Sequence, residues 1–162
     1  RHADPSVLVQ MDSYAVDGLE PGQIQFLYAP THLNPTYEYG VTFERGTAVT
    51  YGDRKQVFIS GTASIDNRGE IVYPGDIVKQ TERMMENISV LLKEAGATTR
   101  DITQAITYLR DMADYAVVKK YFEAHYPDLP HLIVLAPVCR PGWLIETECI
   151  AVVPTESSFK PL

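Results

Sequence analysis

The sequence predicts an α+β fold in which a mixed β-sheet carries two helices on one face. Two segments, within 77–95 and 118–125, place apolar residues at helical spacing. Short apolar runs flank these segments, and the last run, 143–153, alternates cleanly between its two faces. The order along the chain is strand, strand, helix, strand, helix, strand, strand, which indicates a layer of helices packed on a layer of strands.

The first forty residues differ from the rest of the chain. They are rich in Pro, Gly, Tyr and Asn, and they contain short apolar segments at 7–9 and 24–28. This pattern predicts an extended arm with one or two strands. We therefore predict an N-terminal extension of unknown role at 1–40, a domain at 41–154 and a C-terminal tail at 155–162.

Clear start and stop signals mark the first helix and the strands before it. A buried strand is predicted at 56–61, and a short strand at 71–73 follows the turn at 66–70. Asp76 suits the positive N-terminal end of a helix, and Gly96 provides the end of that helix. The residues at buried helical positions are Ile77, Thr81, Met84, Met85, Ile88, Leu91, Leu92 and Ala95.

The second half of the domain is predicted to contain a strand, a helix and two further strands. The segment 102–109 alternates and carries β-branched residues, whereas 132–138 is continuously apolar. Asp114 is suited to cap the second helix. We expect the buried face of this helix to consist of Val118, Tyr121, Phe122 and His125.

Composition and charge exclude several classes of protein. A chain of 162 residues, 45% hydrophobic and 22% charged, is typical of one soluble globular domain. No window approaches 18 consecutive apolar residues, so we expect no membrane-spanning helix. The net charge of −7 disfavours binding to nucleic acid, because phosphates are held by clustered Lys and Arg.

Cysteine and histidine usage indicates a reduced protein without a metal. Cys139 and Cys149 do not make a disulfide framework, so we interpret them as thiols in a cytoplasmic protein. No spacing of His, Cys and Glu indicates a metal site, and we expect no cofactor. The chain begins at Arg1 without a Met or an apolar signal core, which predicts a fragment or a processed form.

Several motifs together carry a family resemblance. They lie at 58–64, Gln80, Asn87, 91–97, 108–115, 121–122 and 146–152. In order and spacing they resemble the RidA (YjgF-type) family, whose older labels are endoribonuclease L-PSP and translation inhibitor. The resemblance covers about residues 42–154. It implies a chorismate-mutase-like fold, a homotrimer and clefts between subunits that act on small carboxylic substrates.

The resemblance also implies an activity, with one departure. Deaminases of this family hydrolyse enamines and imines derived from amino acids, and an Arg near the start of the penultimate strand binds the substrate carboxylate. The corresponding position here is His131, or Leu132 with a shift of one residue. The Tyr of the family's N-terminal motif is replaced by Phe43. The missing Arg weakens the expectation of deaminase activity, since a His makes at most one charged contact.

A second resemblance concerns a different branch with the same fold. The segments 60–65 and 74–76 with Gln80, and the segments 138–140 and 144–148, look similar to chorismatases. Those enzymes are about twice as long as this chain, and they release pyruvate from chorismate by adding water to its enol ether. This chain would then correspond to their C-terminal portion.

Two carboxylates on the last strand provide the candidate chemistry. Glu146 and Glu148 fall on the same face, since side chains alternate along a strand. Mutual repulsion and partial burial would raise the pKa of at least one of them. Hydrolysis of an enamine or an enol ether begins with protonation of a carbon–carbon double bond, which requires such a donor. We predict Glu146 as the catalytic residue and Glu148 as a supporting carboxylate.

Other residues are candidates for substrate binding. Arg140 precedes Pro141-Gly142 at a plausible mouth of the cleft and could replace the missing Arg. Arg45 is a second candidate for binding the carboxylate, Thr62 could bind an anionic group or the attacking water, and Cys139 could line the pocket. Each has an ordinary alternative: a surface arginine, a packed small residue or an inert thiol.

Three functions remain open at this point. The first possibility is an enzyme that adds water to an enamine, imine or enol ether, which the presence of Glu146 and Glu148 favours. Alternatively, it is a ligand-binding trimer that has lost the chemistry, which the missing Arg favours. The third possibility is a trimerisation domain of a longer protein.

Overall fold

A computed structural model describes residues 4, 6, 7 and 11–162 of the chain. The strands of the described part are β1 (Ile24–Leu27), β2 (Gly46–Thr50), β3 (Arg54–Ala63), β4 (Ile102–Leu109), β5 (His131–Leu135) and β6 (Ile145–Pro154). The helices are α1 (Ile77–Glu94) and α2 (Tyr115–His125). Short 3-10 helices lie at Thr36–Tyr39, Thr99–Asp101 and Met112–Asp114.

The strands form one mixed sheet in the order β1-β2-β3-β6-β4-β5. All neighbouring pairs are antiparallel except β4 and β5, which are parallel and are joined by the crossover through α2. The last strand therefore lies in the middle of the sheet, between β3 and β4. This arrangement confirms the predicted α+β fold with a mixed sheet and two helices.

The helices cover one face of the sheet and leave the other, which we call the open face, without a helix. The side chains of β6 alternate accordingly: Ile145, Thr147, Cys149 and Ala151 are buried against the helix side, and Glu146, Glu148 and Ile150 lie on the open face. The core between sheet and helices contains Met84, Ile88, Leu91, Leu92 and Phe122, each fully buried.

The first helix begins and ends where the sequence predicts. Asp76 caps it, since its Oδ1 accepts a hydrogen bond from the Lys79 backbone N at 3.0 Å. Gly96 follows the helix with a φ of +78°, a conformation that favours glycine, and the Ala97 N–H donates back to Leu92 O. None of the helices in the described part is long and apolar enough to cross a membrane.

Several predicted elements need correction. The strand predicted at 71–73 is only an isolated bridge between Ile65 and Ile71. The strand predicted at 132–138 ends at Leu135, two residues before Pro137, which has no N–H to donate to a ladder. Strand β2 was not predicted from the sequence.

The second helix differs from the prediction in its cap and in its buried face. Asp114 makes no capping bond with its side chain; Asp111 instead caps the preceding turn by accepting from Ala113 N at 2.9 Å. Val118 and Phe122 are buried as predicted. His125 is exposed because it lies in the last turn, and Tyr126 beyond the helix packs against the core in its place.

The predicted extension contributes one strand to the sheet. Strand β1 pairs with β2 at the sheet edge, which confirms the apolar segment at 24–28 as a strand. Of the segment 7–9, residues 8 and 9 lie outside the described residues. The division of the chain at residues 40 and 41 stays a prediction.

Candidate active site

A cleft of about 280 Å³ contains most of the predicted site residues. Its walls come from β3, from β6, and from the segments that precede β2 and β6. The lining residues are Val41, Phe43, Arg45, Ser60, Gly61, Ala63, Ile65, Cys139, Arg140, Trp143 and Glu146. A second cavity of about 500 Å³ shares Ile65, Arg140 and Trp143 with this cleft, so the two adjoin. The fold thus brings Glu146 together with Arg140, Arg45, Cys139 and Phe43.

A β-bulge in β3 shapes the floor of the cleft. Ile59 pairs with Cys149 and Thr62 pairs with Thr147, so β3 has one extra residue between these pairs. The bulge turns Ala63 to the open face, opposite Glu146. Thr62 turns to the helix side, where it is 3% exposed and its Oγ1 donates to Ser60 O at 2.8 Å. Thr62 therefore does not line the cleft.

Glu146 is half-buried, and part of its carboxylate has no partner. The Oε2 atom is buried and accepts no hydrogen bond from any described residue. Gly61 makes room for the carboxylate, because a Cβ at position 61 would collide with Oε1. Burial, and then the charge of Glu148, raise the pKa of Glu146 above its usual value. This carboxyl group retains its proton to higher pH than an exposed Glu and is suited to donate it.

Glu148 lies on the same face as Glu146 but in different surroundings. Its Oε1 accepts a hydrogen bond from the Tyr108 hydroxyl at 2.9 Å. Burial, and then this hydrogen bond, raise the pKa of Tyr108 to about 12, so the tyrosine remains a donor at neutral pH. Glu148 lines a shallow depression with Phe58, Ile106 and Ile150 rather than the cleft.

Two arginines provide positive charge at the cleft. Arg45 is 5% exposed, and its Nη2 donates to both Asn34 O and Asn34 Oδ1 at 2.9 Å. Its guanidinium lies 5.5 Å from the centre of the Phe43 ring, which fixes the ring and the charge together. Arg140 and Cys139 are exposed, and they line the cleft from the segment that precedes β6. The positive charges of these two arginines would attract the carboxylate of a substrate.

The position of the missing family Arg lies away from this cleft. The His131 ring packs on Phe122 of α2, with ring centres 4.6 Å apart, and its Nδ1 lies 3.1 Å from Leu129 O. Leu132 pairs with Ile106 on the open face and is 67% exposed. Neither residue lines the cleft. Among the described residues, no three His, Cys, Asp or Glu side chains lie together in a way that could hold a metal ion.

Three residues without a role predicted from the sequence form or hold one side of the cleft, residues 138–144, which we call the wall. Trp143 lines the cavity, and its buried Nε1 has no hydrogen-bond partner among the described residues. Arg110 and Gln80 hydrogen-bond to the backbone of this wall. Gln80 was detectable as a polar residue within an apolar helix face, and it is completely buried. Arg110 carried no comparable signal.

Comparison with known sequences places these observations in a family. The sequence model of the Endoribonuclease L-PSP family matches residues 46–153. A RutC family protein of Pyrococcus abyssi is 38% identical over 98 residues, which is 59% of this chain and 76% of the relative. The 3-aminoacrylate deaminase RutC of Acinetobacter baylyi is 30% identical over 97 residues, covering 59% of this chain and 77% of the relative.

Solved structures share the fold at lower identity. RidA from an Antarctic Psychrobacter superposes with a TM-score of 0.65 at 24% identity, covering 80% of this chain and 99% of its own. The YjgF gene product of E. coli superposes with a TM-score of 0.63 at 20% identity, covering 79% of this chain and 98% of its own. At these identities the likeness concerns the fold alone.

Proposed function

The chain belongs to the Endoribonuclease L-PSP family, and we propose that it hydrolyses small enamines or imines that carry a carboxylate, with Glu146 as proton donor. One observation carries this proposal. Glu146 places a half-buried carboxyl group with a raised pKa and a partnerless oxygen in a cleft that also contains Arg45 and Arg140. A carboxyl group that stays protonated is what the first step of the reaction requires.

The proposed mechanism uses Glu146 twice. Its carboxyl group donates a proton to the carbon of the enamine double bond that is not bonded to nitrogen, which leaves an iminium cation. The resulting carboxylate then accepts a proton from water as the water oxygen attacks the iminium carbon. The amino alcohol formed in this way collapses to a carbonyl compound and ammonia. An imine substrate enters at the second step, after protonation of its nitrogen.

Substrate binding in this proposal differs from that of the family's deaminases. The position of the carboxylate-binding Arg is His131 or Leu132, so Arg140 and Arg45 would bind the substrate carboxylate instead. The exposed guanidinium of Arg140 suits this role because arginine can bind a carboxylate through two hydrogen bonds. Arg45, whose Nε and Nη2 donate to Asn34, contributes a fixed positive charge. The A. baylyi relative, named for its action on 3-aminoacrylate, supports a small carboxylated enamine as substrate.

A direct assay tests the proposal. Freshly generated 2-aminoacrylate, iminopyruvate or 3-aminoacrylate is mixed with the protein, and loss of substrate and release of ammonia are followed against the uncatalysed rate. We expect acceleration with at least one of these substrates. No acceleration with any of them would contradict the deaminase proposal and favour a ligand-binding or trimerisation role, which equilibrium binding of pyruvate or another small carboxylate would then test.

A second candidate is the hydrolysis of an enol ether, as in chorismatases. The presence of two arginines in one cleft favours this candidate, since chorismate carries two carboxylates. Protonation by Glu146 and attack of water would release pyruvate by the same two steps. Pyruvate release from chorismate, in the absence of ammonia release from enamines, would support this candidate over the first.

Assembly and location complete the proposal. We propose a homotrimer in the cytoplasm, with each cleft completed at a boundary between subunits. Light scattering on the purified protein measures the mass of the particle, and a stable monomer would contradict the trimer.

A further inference from the structure

The wall of the cleft is a segment with little secondary structure of its own. Residues 138–144 form most of the connection between β5 and β6 and carry Cys139, Arg140 and Trp143. Within this segment, the backbone N–H of Trp143 donates to Arg140 O at 3.0 Å, which forms a turn. Segments of this kind keep a fixed shape only when other parts of the fold bind their backbone groups.

Arg110 supplies most of these bonds. It follows β4 directly, and its own N–H donates to Leu144 O at 3.0 Å. Its Nε donates to Trp143 O at 2.7 Å, and its Nη2 donates to Val138 O at 2.7 Å and to Arg140 O. One guanidinium therefore joins three carbonyl groups that span most of the segment.

Gln80 holds the same segment from the helix side. Its Nε2 donates to Gly142 O at 3.1 Å, and its Oε1 accepts from Leu144 N at 3.0 Å. Gln80 is fixed because it is completely buried within α1. The two side chains bind different carbonyls. Gln80 holds only the C-terminal part of the wall, whereas Arg110 holds Trp143 in that part and also the part that carries Cys139 and Arg140.

We propose that Arg110 is a positioning residue of the cleft: its guanidinium fixes the positions of Arg140 and Trp143 relative to Glu146. The effect of Arg110 on the kinetic constants rests on the proposed function, whereas its effect on the conformation of the wall does not. The planar guanidinium presents several N–H groups in fixed directions, which suits three separated carbonyls. A lysine keeps the charge but bonds from a single atom, so it cannot span them.

The geometry predicts which kinetic constant changes. Arg140 sits on the wall and is assigned to the substrate carboxylate, so a loose wall weakens substrate binding. The backbone position of Glu146 is set by β6, which pairs with β3 and β4 on either side, rather than by the wall. Loss of the Arg110 bonds should therefore raise KM by about tenfold, in keeping with the loss of bonds to a charged donor, and change kcat much less.

The experiment compares Arg110→Lys and Arg110→Gln with the parent protein. Trp143 is the only tryptophan of the chain, so its fluorescence reports on the wall without any need for activity. We expect quenching by acrylamide to increase in both variants, and KM to increase more than kcat. Arg100→Lys is the matched control, because Arg100 lines a separate cavity and does not line the cleft.

The outcomes separate the two proposals. Increased quenching in a protein without detectable hydrolysis would support the positioning role and contradict the proposed function. Unchanged quenching in Arg110→Lys would overturn the positioning role, whatever the activity of the parent. In an active parent, an unchanged KM would accompany this outcome. If Arg110→Gln does not fold by circular dichroism, Arg110→Lys carries the test, since it retains the charge and the length of the side chain.

Discussion

Glu146 and Glu148 lie two residues apart on the same face of one strand, yet they occupy different environments. Glu146 lies in a cleft, and its carboxylate contains a buried oxygen without a partner. Glu148 lies nearer the middle of the open face and accepts a hydrogen bond from Tyr108 at 2.9 Å. Burial raises the pKa of Glu146, whereas Glu148 has a fixed donor for its charge.

The difference arises from residues that are distant in sequence. The β3 bulge and Gly61 bring bare backbone against the Glu146 carboxylate, and the wall at 138–144 closes the cleft over it. At Glu148 the neighbouring strand supplies a hydroxyl group instead of a cavity. Alternation along a strand therefore decides which face a carboxylate occupies, and the neighbouring elements decide what it can do.

The largest expected effect is the loss of activity in Glu146→Gln. The amide cannot donate a proton to carbon, so we expect kcat/KM to fall by about 10²–10⁴-fold, the range typical for removal of a general acid. Steady-state hydrolysis of the best substrate measures this loss. Glu82→Gln, at an exposed position of α1, is the matched control and should retain the parent rate. Full activity in Glu146→Gln would show that the donor is another group.

The next largest effect is expected from Gly61→Ala, which alters the cleft without altering any charge. The added methyl group would meet the far end of the Glu146 side chain, so the carboxylate moves and the fold is retained. We expect a loss of about 10–100-fold in kcat/KM from this misplacement. In the double variant with Glu146→Gln, the Ala should cause no further loss, because residues that act through one group are not additive. Additive losses would contradict the assignment.

The sequence predicted most of the fold because its signals were local. The helix from Ile77 to Glu94 was indicated by apolar spacing and by Asp76 and Gly96 at its ends. Strand β2 was not predicted because it lies next to a polar arm. The strand predicted at 132–138 extends too far because Pro137 interrupts an otherwise apolar run. These errors concern pairing partners and edges, which a local pattern does not specify.

The candidate site was predictable only where a residue's own strand orients it. Glu146 and Glu148 share a face because β6 is regular. Thr62 was predicted to bind an anionic group or the attacking water, but one extra residue in β3 turned it to the helix side. A bulge leaves no clear mark in a single sequence beyond a glycine. The contacts of Arg110 with the wall join residues about thirty positions apart, which no local pattern reveals.

A smaller effect is expected from Glu148→Gln, and it should appear in the pH profile. Activity requires protonated Glu146, so kcat/KM falls as pH rises through the raised pKa of that group. The charge of Glu148 is the second cause of the raised pKa. Its removal should lower the pKa of Glu146 and shift the falling limb to lower pH, so that kcat/KM falls below that of the parent on the high-pH side only. An unchanged limb would mean that burial alone sets this pKa.

The smallest effect is expected from Tyr108→Phe, which removes the hydroxyl donor of Glu148 but leaves the charge of Glu148 in place. The falling limb of the pH profile should therefore remain where it is in the parent. The lost hydrogen bond should lower the free energy of unfolding by about 1 kcal/mol, which corresponds to a decrease in Tm of about 2–4 °C for a domain of this size. Thermal unfolding measures this change, with Tyr37→Phe at a 77% exposed position as the control. A shift of the pH limb in Tyr108→Phe would show that Tyr108 acts on Glu146 directly, and the two carboxylates would then share one environment rather than two.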